Sequence, residues 1–383
     1  MTPTIAIPQL DLQREYAFFK KDINAAIVSC ARSQRWILGE HVKAFEEALA
    51  RYLGVRHAVG VASGTDALLI ALRAAAMLTK NREGFFEKRD EVITTAFTFL
   101  ATGETIIRAG ATPVFVDIEP DTFTISPKAI QRAITKNTRA IIPVHLYGRP
   151  CDMSAIMNIA RTHTLNVIED AAQACGATYR GSFVGSLGTM GAFSFFPSKN
   201  LGGWGDGGML TTNDDKIAHF ARCLRNHGQR AHYDASYLGY NSRLDSLQAA
   251  VLHAKLPHLS ELTRRRVTIA HAYSAALADI KKISLPVTPK PVGHAYNLYV
   301  MREPDSLRNA LLQHLCSRGV ESRVYYPLAL NTMAAFKEAR LSGTLEHTKA
   351  ACQSVLTLPL HPFLKKSEIA FVVKTVRSFF KKV

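Results

Sequence analysis

A single lysine, Lys199, follows the apolar run Gly191-Ala-Phe-Ser-Phe-Phe-Pro-Ser and precedes glycines at 202, 203, 205, 207 and 208. Apolar walls disfavour an ammonium ion and so depress a lysine pKa. The neutral amine that results is the form Schiff-base chemistry requires. The glycines let the backbone pass close to a flat or anionic ligand and adopt conformations closed to other residues. A lysine in a glycine-rich loop is also an ordinary surface residue, so the reading depends on what stands upstream. There, Ser63-Gly64-Thr65 joins a short apolar strand to a helix beginning near Asp66. Its backbone N–H groups, hydroxyls and helix-dipole end suit a phosphate. It is neither a GxGxxG nor a P-loop fingerprint, and the same residues serve as a plain helix cap.

These residues need a frame. Strand candidates are a short run from His57 up to the Ser63-Gly64-Thr65 turn, Glu91-Val-Ile-Thr-Thr, Pro113-Val-Phe-Val-Asp-Ile, Arg139-Ala-Ile-Ile-Pro-Val-His-Leu and Asn166-Val-Ile-Glu-Asp, with helices at 99–109, 127–135 and 153–163. Alternation of helices with near-continuously apolar strands means a parallel sheet covered on both faces. Ligands sit beyond the carboxyl ends of such strands. Asp170 stands at one such end, Ser194 at another and Lys199 just past it. An N-terminal helix over 11–33 carries Phe19, Ile23, Ala26, Ile27 and Cys30 on one face, and a second covers 41–53. A polar connector spans 79–90. A long helical region, 244–279, presents Leu247, Val251, Leu252 and Leu256 and is broken at Pro257. Pro286, Pro289 and Pro291 mark a boundary between a large domain, 1–280, and a smaller C-terminal α+β domain, 281–383. The latter reads as strand Tyr296–Met301, helix 306–318, strand Ser322–Tyr326 and helix 367–380.

At 383 residues, 47% hydrophobic and 20% charged, the composition is that of a soluble globular protein. Met1–Leu10 lacks a secretory layout and no apolar run is long enough for a bilayer, so a cytoplasmic protein without membrane contact is expected. Six cysteines without CxxC spacing and fourteen histidines without HExxH argue against a metal site and for buried thiols. The net charge of +16 draws on Arg264-Arg265-Arg266, Lys281-Lys282, Lys365-Lys366 and Lys381-Lys382. No motif for reading bases accompanies it, so solvated helix faces, or attraction of an anionic small substrate, account for it without nucleic acid.

With Ser63-Gly64-Thr65-Asp66-Ala67-Leu68, Glu169-Asp170-Ala171-Ala172-Gln173 and Ser194-Phe-Phe-Pro-Ser-Lys199 in that order, the chain resembles the DegT/DnrJ/EryC1/StrS family from about Arg35 to Pro362. The resemblance implies an α/β protein of fold type I, the aspartate-aminotransferase type. It also implies a pyridoxal 5'-phosphate-dependent sugar-nucleotide aminotransferase, with the pyridoxamine form as intermediate, and a homodimer with shared active sites. Lys199 would be the Schiff-base lysine and proton carrier, and Asp170 the partner of the pyridine nitrogen; its alternative is a helix N-cap. Gln173 would bond the ring hydroxyl and Phe99 lie on the ring face. Backbone groups of Gly64, Thr65 and Asp66, with the Ser194 hydroxyl, would hold the phosphate, and Asn241 would reach it from the other subunit. Relatives with histidine in place of the lysine are dehydratases, so Lys199 favours transamination. Glutamate is then the expected amine donor and a nucleotide-linked keto sugar the acceptor. Gly205-Asp206-Gly207-Gly208, Asn241-Ser-Arg-Leu-Asp and Tyr325-Tyr326-Pro327-Leu-Ala-Leu-Asn331 resemble members that aminate C3, on UDP or dTDP sugars. Arg230, Arg243, Arg323 and Tyr325 are substrate candidates, the guanidinium forks suiting diphosphate or carboxylate; each arginine is equally a structural ion-pair partner. A rival class is a non-catalytic regulatory protein binding the same cofactor.

Overall fold

Apolar runs buried on both faces build the central sheet. The computed structural model describes residues 7–80, 85–231, 233–288 and 290–381; residues 81–84 of the expected connector, Pro289 and Lys382 lie outside them. In chain order the strands are β1 (His57–Val61), β2 (Glu91–Thr95), β3 (Thr112–Val116), β4 (Thr138–Ile141) and β5 (Asn166–Asp170). The short ribbon strands β6 (Thr178–Tyr179) and β7 (Ser182–Phe183) precede β8 (Met190–Ser194) and β9 (Gly208–Thr212). A hairpin, β10 (Gln229–Ala231) and β11 (Asp234–Ala235), is followed by β12 (Val292–Gly293), β13 (Tyr299–Arg302), β14 (Arg340–Leu341) and β15 (Val355–Leu358). Eight of these form one sheet in the order β1-β9-β8-β5-β4-β2-β3-β14. Only β9 runs antiparallel to its neighbours there, pairing β1 on one side and β8 on the other. The carboxyl ends of β1, β8, β5 and β2 therefore share one edge.

Among the described residues, twelve α-helices surround these strands: α1 (Leu12–Ser33), α2 (Glu40–Leu53), α3 (Gly64–Lys80), α4 (Leu100–Arg108), α5 (Pro127–Ala133), α6 (Met153–Thr162), α7 (Asp215–Leu224), α8 (Ser246–Lys255), α9 (Leu259–Leu277), α10 (Arg308–Cys316), α11 (Glu346–Ser354) and α12 (Lys366–Phe380). Alternate strand residues sort to opposite faces, as the pleat requires. Ile168 and Ala192 pack with α3, α4 and α7. Phe193 packs with α2 and α8, and Val167 with α5 and α6. The apolar face of α1 buries Phe19, Ile23 and Cys30. Pro257 lies in a 3-10 turn, Leu256–His258, between α8 and α9, where its missing N–H and fixed φ interrupt the α-helical ladder.

Several expectations need correction. Leu247, assigned to the inward face of α8, is 37% exposed. Ser322–Tyr326 is no strand: a single backbone bond, from the Thr357 N–H to the Arg323 carbonyl (2.9 Å), ties it to β15, while the Arg323 amide turns to the Thr357 hydroxyl and Pro327 ends any extension. Arg340–Leu341, beyond the expected boundary at 281, returns to pair with β3 in the large sheet. At the other terminus, Ile7 pairs with Val320 and the Gln9 amide donates to Glu321. The five glycines after Lys199 all have ordinary φ. Two of them are needed for close approach of the chain to itself: a Cβ at Gly208 would sit 2.2 Å from the Ser63 carbonyl oxygen, and one at Gly202 2.4 Å from that of Pro197. Arg266 is buried rather than part of a solvated basic face.

On β5, adjacent carboxylates point to opposite sides. Glu169 is wholly buried and accepts four hydrogen bonds, from His145 Nε2 (2.9 Å) and the backbone N–H groups of Gly185 (2.8 Å), Leu187 (2.7 Å) and Gly188 (2.7 Å). His145 Nδ1 accepts from the Cys151 N–H at 3.1 Å, so Nε2 carries the proton it donates. This clamp fixes the loop before β8 against β5. Glu169→Gln would set an NH2 group against these N–H donors. It should cost ~2–4 kcal/mol of stability, seen as a lowered thermal-unfolding midpoint.

Candidate active site

Every group at the sheet's carboxyl edge arrives there by a strand ending. Asp170 closes β5, its N–H donating to the Pro143 carbonyl (2.9 Å) and its own carbonyl accepting from the His145 N–H (3.0 Å). Ser194 closes β8, and a turn in which the Lys199 N–H donates to the Phe196 carbonyl (2.9 Å) swings Lys199 back over the edge. The Asn297 side-chain amide donates to the Ser198 carbonyl (3.3 Å) and to Asn200 Oδ1 (3.1 Å), holding that turn from the far side. The result is a cavity of about 630 Å³ lined by Gly64, Thr65, Phe99, Asp170, Gln173, Ser194 and Lys199, together with Arg323 and Tyr325.

Burial pushes the Lys199 amine down to about 8, and the Asp170 charge opposes that shift. Burial pushes Asp170 up, while the Thr102 hydroxyl, the Ala172 N–H and the Lys199 charge hold it down. Both Asp170 oxygens are engaged: Oδ2 accepts from Thr102 Oγ1 at 2.8 Å and Oδ1 from the Ala172 N–H at 3.2 Å. Thr102 lies within 3.0 Å of Thr98 Oγ1, so a two-hydroxyl relay orients the carboxylate. Carboxylate oxygens have lone pairs beyond these two donors, which leaves Asp170 able to accept from a ligand N–H.

The phosphate-suited corner is the start of α3. Helix geometry leaves the first N–H groups without intrahelical partners. The Ser63 hydroxyl takes the Asp66 N–H at 3.0 Å and donates to the Asp66 carboxylate at 3.1 Å. Asp66 thus serves the cap and does not line the cavity, which corrects its expected place in the cradle. Gly64 and Thr65 remain, facing Ser194. A Cβ on Gly64 would lie 2.6 Å from Ser194 Cβ, so the cradle exists only because that side chain is absent.

Gln173 is held at both ends, Oε1 accepting from the Tyr147 N–H (2.7 Å) and Nε2 donating to Tyr326 Oη (3.0 Å). Its second amide hydrogen is left for a ligand hydroxyl. Phe99 exposes 54% of its surface at the mouth, its ring tilted 38° to that of Tyr326. Arg323 also borders the cavity but is paired with Glu321, Nε donating at 2.9 Å. Asn241, Arg230 and Arg243 do not line this cavity. The amides of Tyr240 and Ser242 donate to the carbonyls of Leu224 and Arg225, which holds exposed Asn241 outward. Arg243 donates to Asn226 Oδ1 at 3.1 Å, and Arg230 to Tyr237 Oη at 3.1 Å.

Thr102, Tyr326 and Arg266 line the cavity as well and carry no sequence motif of their own. Thr98 and Thr102 are spaced as helical neighbours, a signal the apolar run around them conceals. Among the described residues no cluster of three or more metal-ligating side chains occurs, and no helix is long and apolar enough to cross a membrane.

A poorly solvated amine, a carboxylate with spare acceptor capacity, a helix N-terminus beside a serine hydroxyl and an aromatic ring at the mouth suit a planar, phosphorylated, aldehyde-bearing nitrogen heterocycle. The residues present fit pyridoxal phosphate. At pH 8 Lys199 is about half neutral, where an ordinary lysine is neutral to well under about 1%. Reductive methylation of Lys199 in cofactor-free protein, followed by peptide mass spectrometry, should therefore rise with pH to a midpoint near 8. Asp170→Asn removes the charge that stabilises the ammonium and should move that midpoint lower.

Comparison with known proteins agrees with this geometry. The model of the DegT/DnrJ/EryC1/StrS aminotransferase family matches residues 18–377. A pleiotropic regulatory protein of Geobacillus stearothermophilus is 45% identical over 98% of this chain and 99% of its own length. A UDP-N-acetyl-3-dehydro-alpha-D-glucosamine 3-aminotransferase of Acidithiobacillus ferrooxidans is 41% identical, with 98% and 99% covered. The crystal structure of Streptomyces venezuelae DesV in complex with a ketimine intermediate superposes with a TM-score of 0.93 at 39% identity, covering 98% of this chain and 99% of that one. The chain belongs to the DegT/DnrJ/EryC1/StrS aminotransferase family.

Proposed function

We propose that this protein moves an amino group from an amino acid, L-glutamate in the first instance, to a nucleotide-linked keto sugar. The acceptor we favour is a 3-keto hexose on UDP or dTDP, aminated in the cytoplasm for a surface polysaccharide such as an O-antigen. The observation that carries the reading is Lys199 itself: an amine pushed down to about 8 by burial, turned over the sheet edge beside Asp170. A histidine there would favour sugar dehydration; the lysine supports transamination.

Pyridoxal phosphate is the cofactor, and when bound it supplies the electron sink that both half-reactions need. The chain's own residues do the rest. Asp170 keeps a proton on the ring nitrogen, its oxygens oriented by Thr102 and the Ala172 N–H. Gln173 orients the ring hydroxyl, and Gly64, Thr65 and Ser194 hold the phosphate. Lys199 Nζ would act as the base that moves a proton between the amine-bearing carbon and the cofactor.

Support for C3 comes from Asp206 and Tyr325 in the cavity wall, within segments that resemble C3-aminating members, and from the Acidithiobacillus relative's own reaction. Outward-held Asn241 and the exposed Trp36, Ile37, Trp204 and Leu238 support a homodimer in which Asn241 serves the partner subunit's phosphate. The Geobacillus relative's name favours a regulatory reading. The joint presence of Lys199, Asp170 and Gln173 in one cavity supports catalysis instead.

The test is spectroscopic. L-Glutamate should bleach the visible absorbance of the loaded protein, and a UDP- or dTDP-linked 3-keto sugar should restore it; recovery with 4-keto sugars alone would reassign the position. Failure of every amino acid to bleach a folded, loaded protein would leave the regulatory reading. Asp170→Asn should retain the cofactor and slow bleaching by roughly 10²–10⁴-fold.

A further inference from the structure

The wall of the same cavity also includes Gln9, Asn297, Glu321, Arg323, Leu360 and Arg266. Its charges are unevenly matched. Glu321 is occupied, holding Arg323 through Oε1 and the Gln9 N–H through Oε2 (2.9 Å). Arg266, on α9, is 4% exposed, and its Nη1 donates to the carbonyls of Leu360 (2.9 Å), Tyr296 (3.3 Å) and Asn297 (3.5 Å). Among the described residues no carboxylate lies within ion-pair distance of it. Burial pushes its guanidinium down to about 10, against an opposing pull from Glu15, and Glu15 is itself bonded to Lys255. Beside Leu360, His361 is fully buried with both ring nitrogens unpartnered. A buried guanidinium without a counter-ion is costly, and an anionic ligand offsets that cost.

Asn297 ties Arg266 to the reactive amine. Its side chain bonds the Ser198 carbonyl, one residue from Lys199, while its own carbonyl faces Arg266. An anion on Arg266 is thus within a small molecule's length of Lys199 rather than a nucleotide's. Glu321 in the same wall disfavours a multiply charged diphosphate and tolerates a single carboxylate. We infer that Arg266 is the recognition group for a carboxylate of the amino-acid donor, so that donor and sugar are sorted by different ends of one cavity. The inference rests on the aminotransferase reading above and deepens it.

The experiment uses the loaded protein and its Arg266→Met and Arg266→Lys variants. Glutarate, a dicarboxylate without an amine, is titrated by calorimetry. Bleaching by L-glutamate and L-alanine, and recovery with the keto sugar, are then followed separately. In Arg266→Met, glutarate affinity and the concentration dependence for glutamate should each weaken by about tenfold or more. Recovery with the sugar should fall much less, and Arg266→Lys should restore part of the glutarate binding. Loss with alanine as well as glutamate assigns the α-carboxylate; loss with glutamate alone assigns the side-chain carboxylate. Unchanged glutarate binding, or equal losses in both half-reactions, overturns the inference. If Arg266→Met does not fold, Arg266→Lys is judged by the same criteria. Wild-type protein that no amino acid bleaches would instead sink the aminotransferase reading.

Discussion

Taking the Lys199 amine out of water is the act on which the rest of the site depends. An ammonium in bulk solvent is too stable to give up its proton near neutrality, and nothing in its own chemistry changes that. Burial supplies the change, and the Asp170 carboxylate limits it, so that the amine is poised rather than simply neutralised. The same burial threatens the carboxylate with protonation. Thr102 and the Ala172 N–H answer that threat by donating to its two oxygens. Each group is thus held in a usable state by neighbours with a stake in the opposite outcome.

The sheet makes such a site easy to assemble. Strands that share a direction deliver their last residues to one edge, and a helix starting at that edge brings unpaired N–H groups with it. Gly64 and Gly208 allow the first turn of α3 and the start of β9 to crowd against Ser194 and Ser63 with no side chain between them. Precision comes from backbone contact, which does not relax as a long side chain would.

Much of this is legible in the chain's own pattern. Asp170 and Ser194 end apolar strands, and Lys199 follows a strand into glycines, so their convergence follows from alternation of strands and helices alone. The roles of the glycines are legible in kind but not in cause: close packing of the chain against itself demands Gly202 and Gly208, with no left-handed backbone involved. Arg266 is unreadable because its neighbours Arg264 and Arg265 share its type, and burial depends on what α9 packs against. Thr102 is hidden among apolar helix residues. The expected strand at Ser322–Tyr326 misleads because the Arg323 amide is taken by the side chain of Thr357, too distant in sequence for local pattern to reveal.

The neighbouring carboxylates of β5 have a consequence for how the protein acquires its structure. Glu169 and Asp170 are adjacent in sequence, yet one is sealed inside the fold and the other faces the cavity. Strand side chains alternate with a period of two, so a shift of a single position would put Asp170 in the clamp and Ala171 at the cavity, or Glu169 at the cavity and Ile168 in the clamp. The first slip leaves the cavity without a carboxylate, and the second leaves the four donors of the clamp facing an apolar side chain. Errors in assembling this sheet are therefore self-revealing: no slipped arrangement is both stable and armed. The chain cannot become a sound scaffold with a faulty site through this route, because the same alignment certifies both.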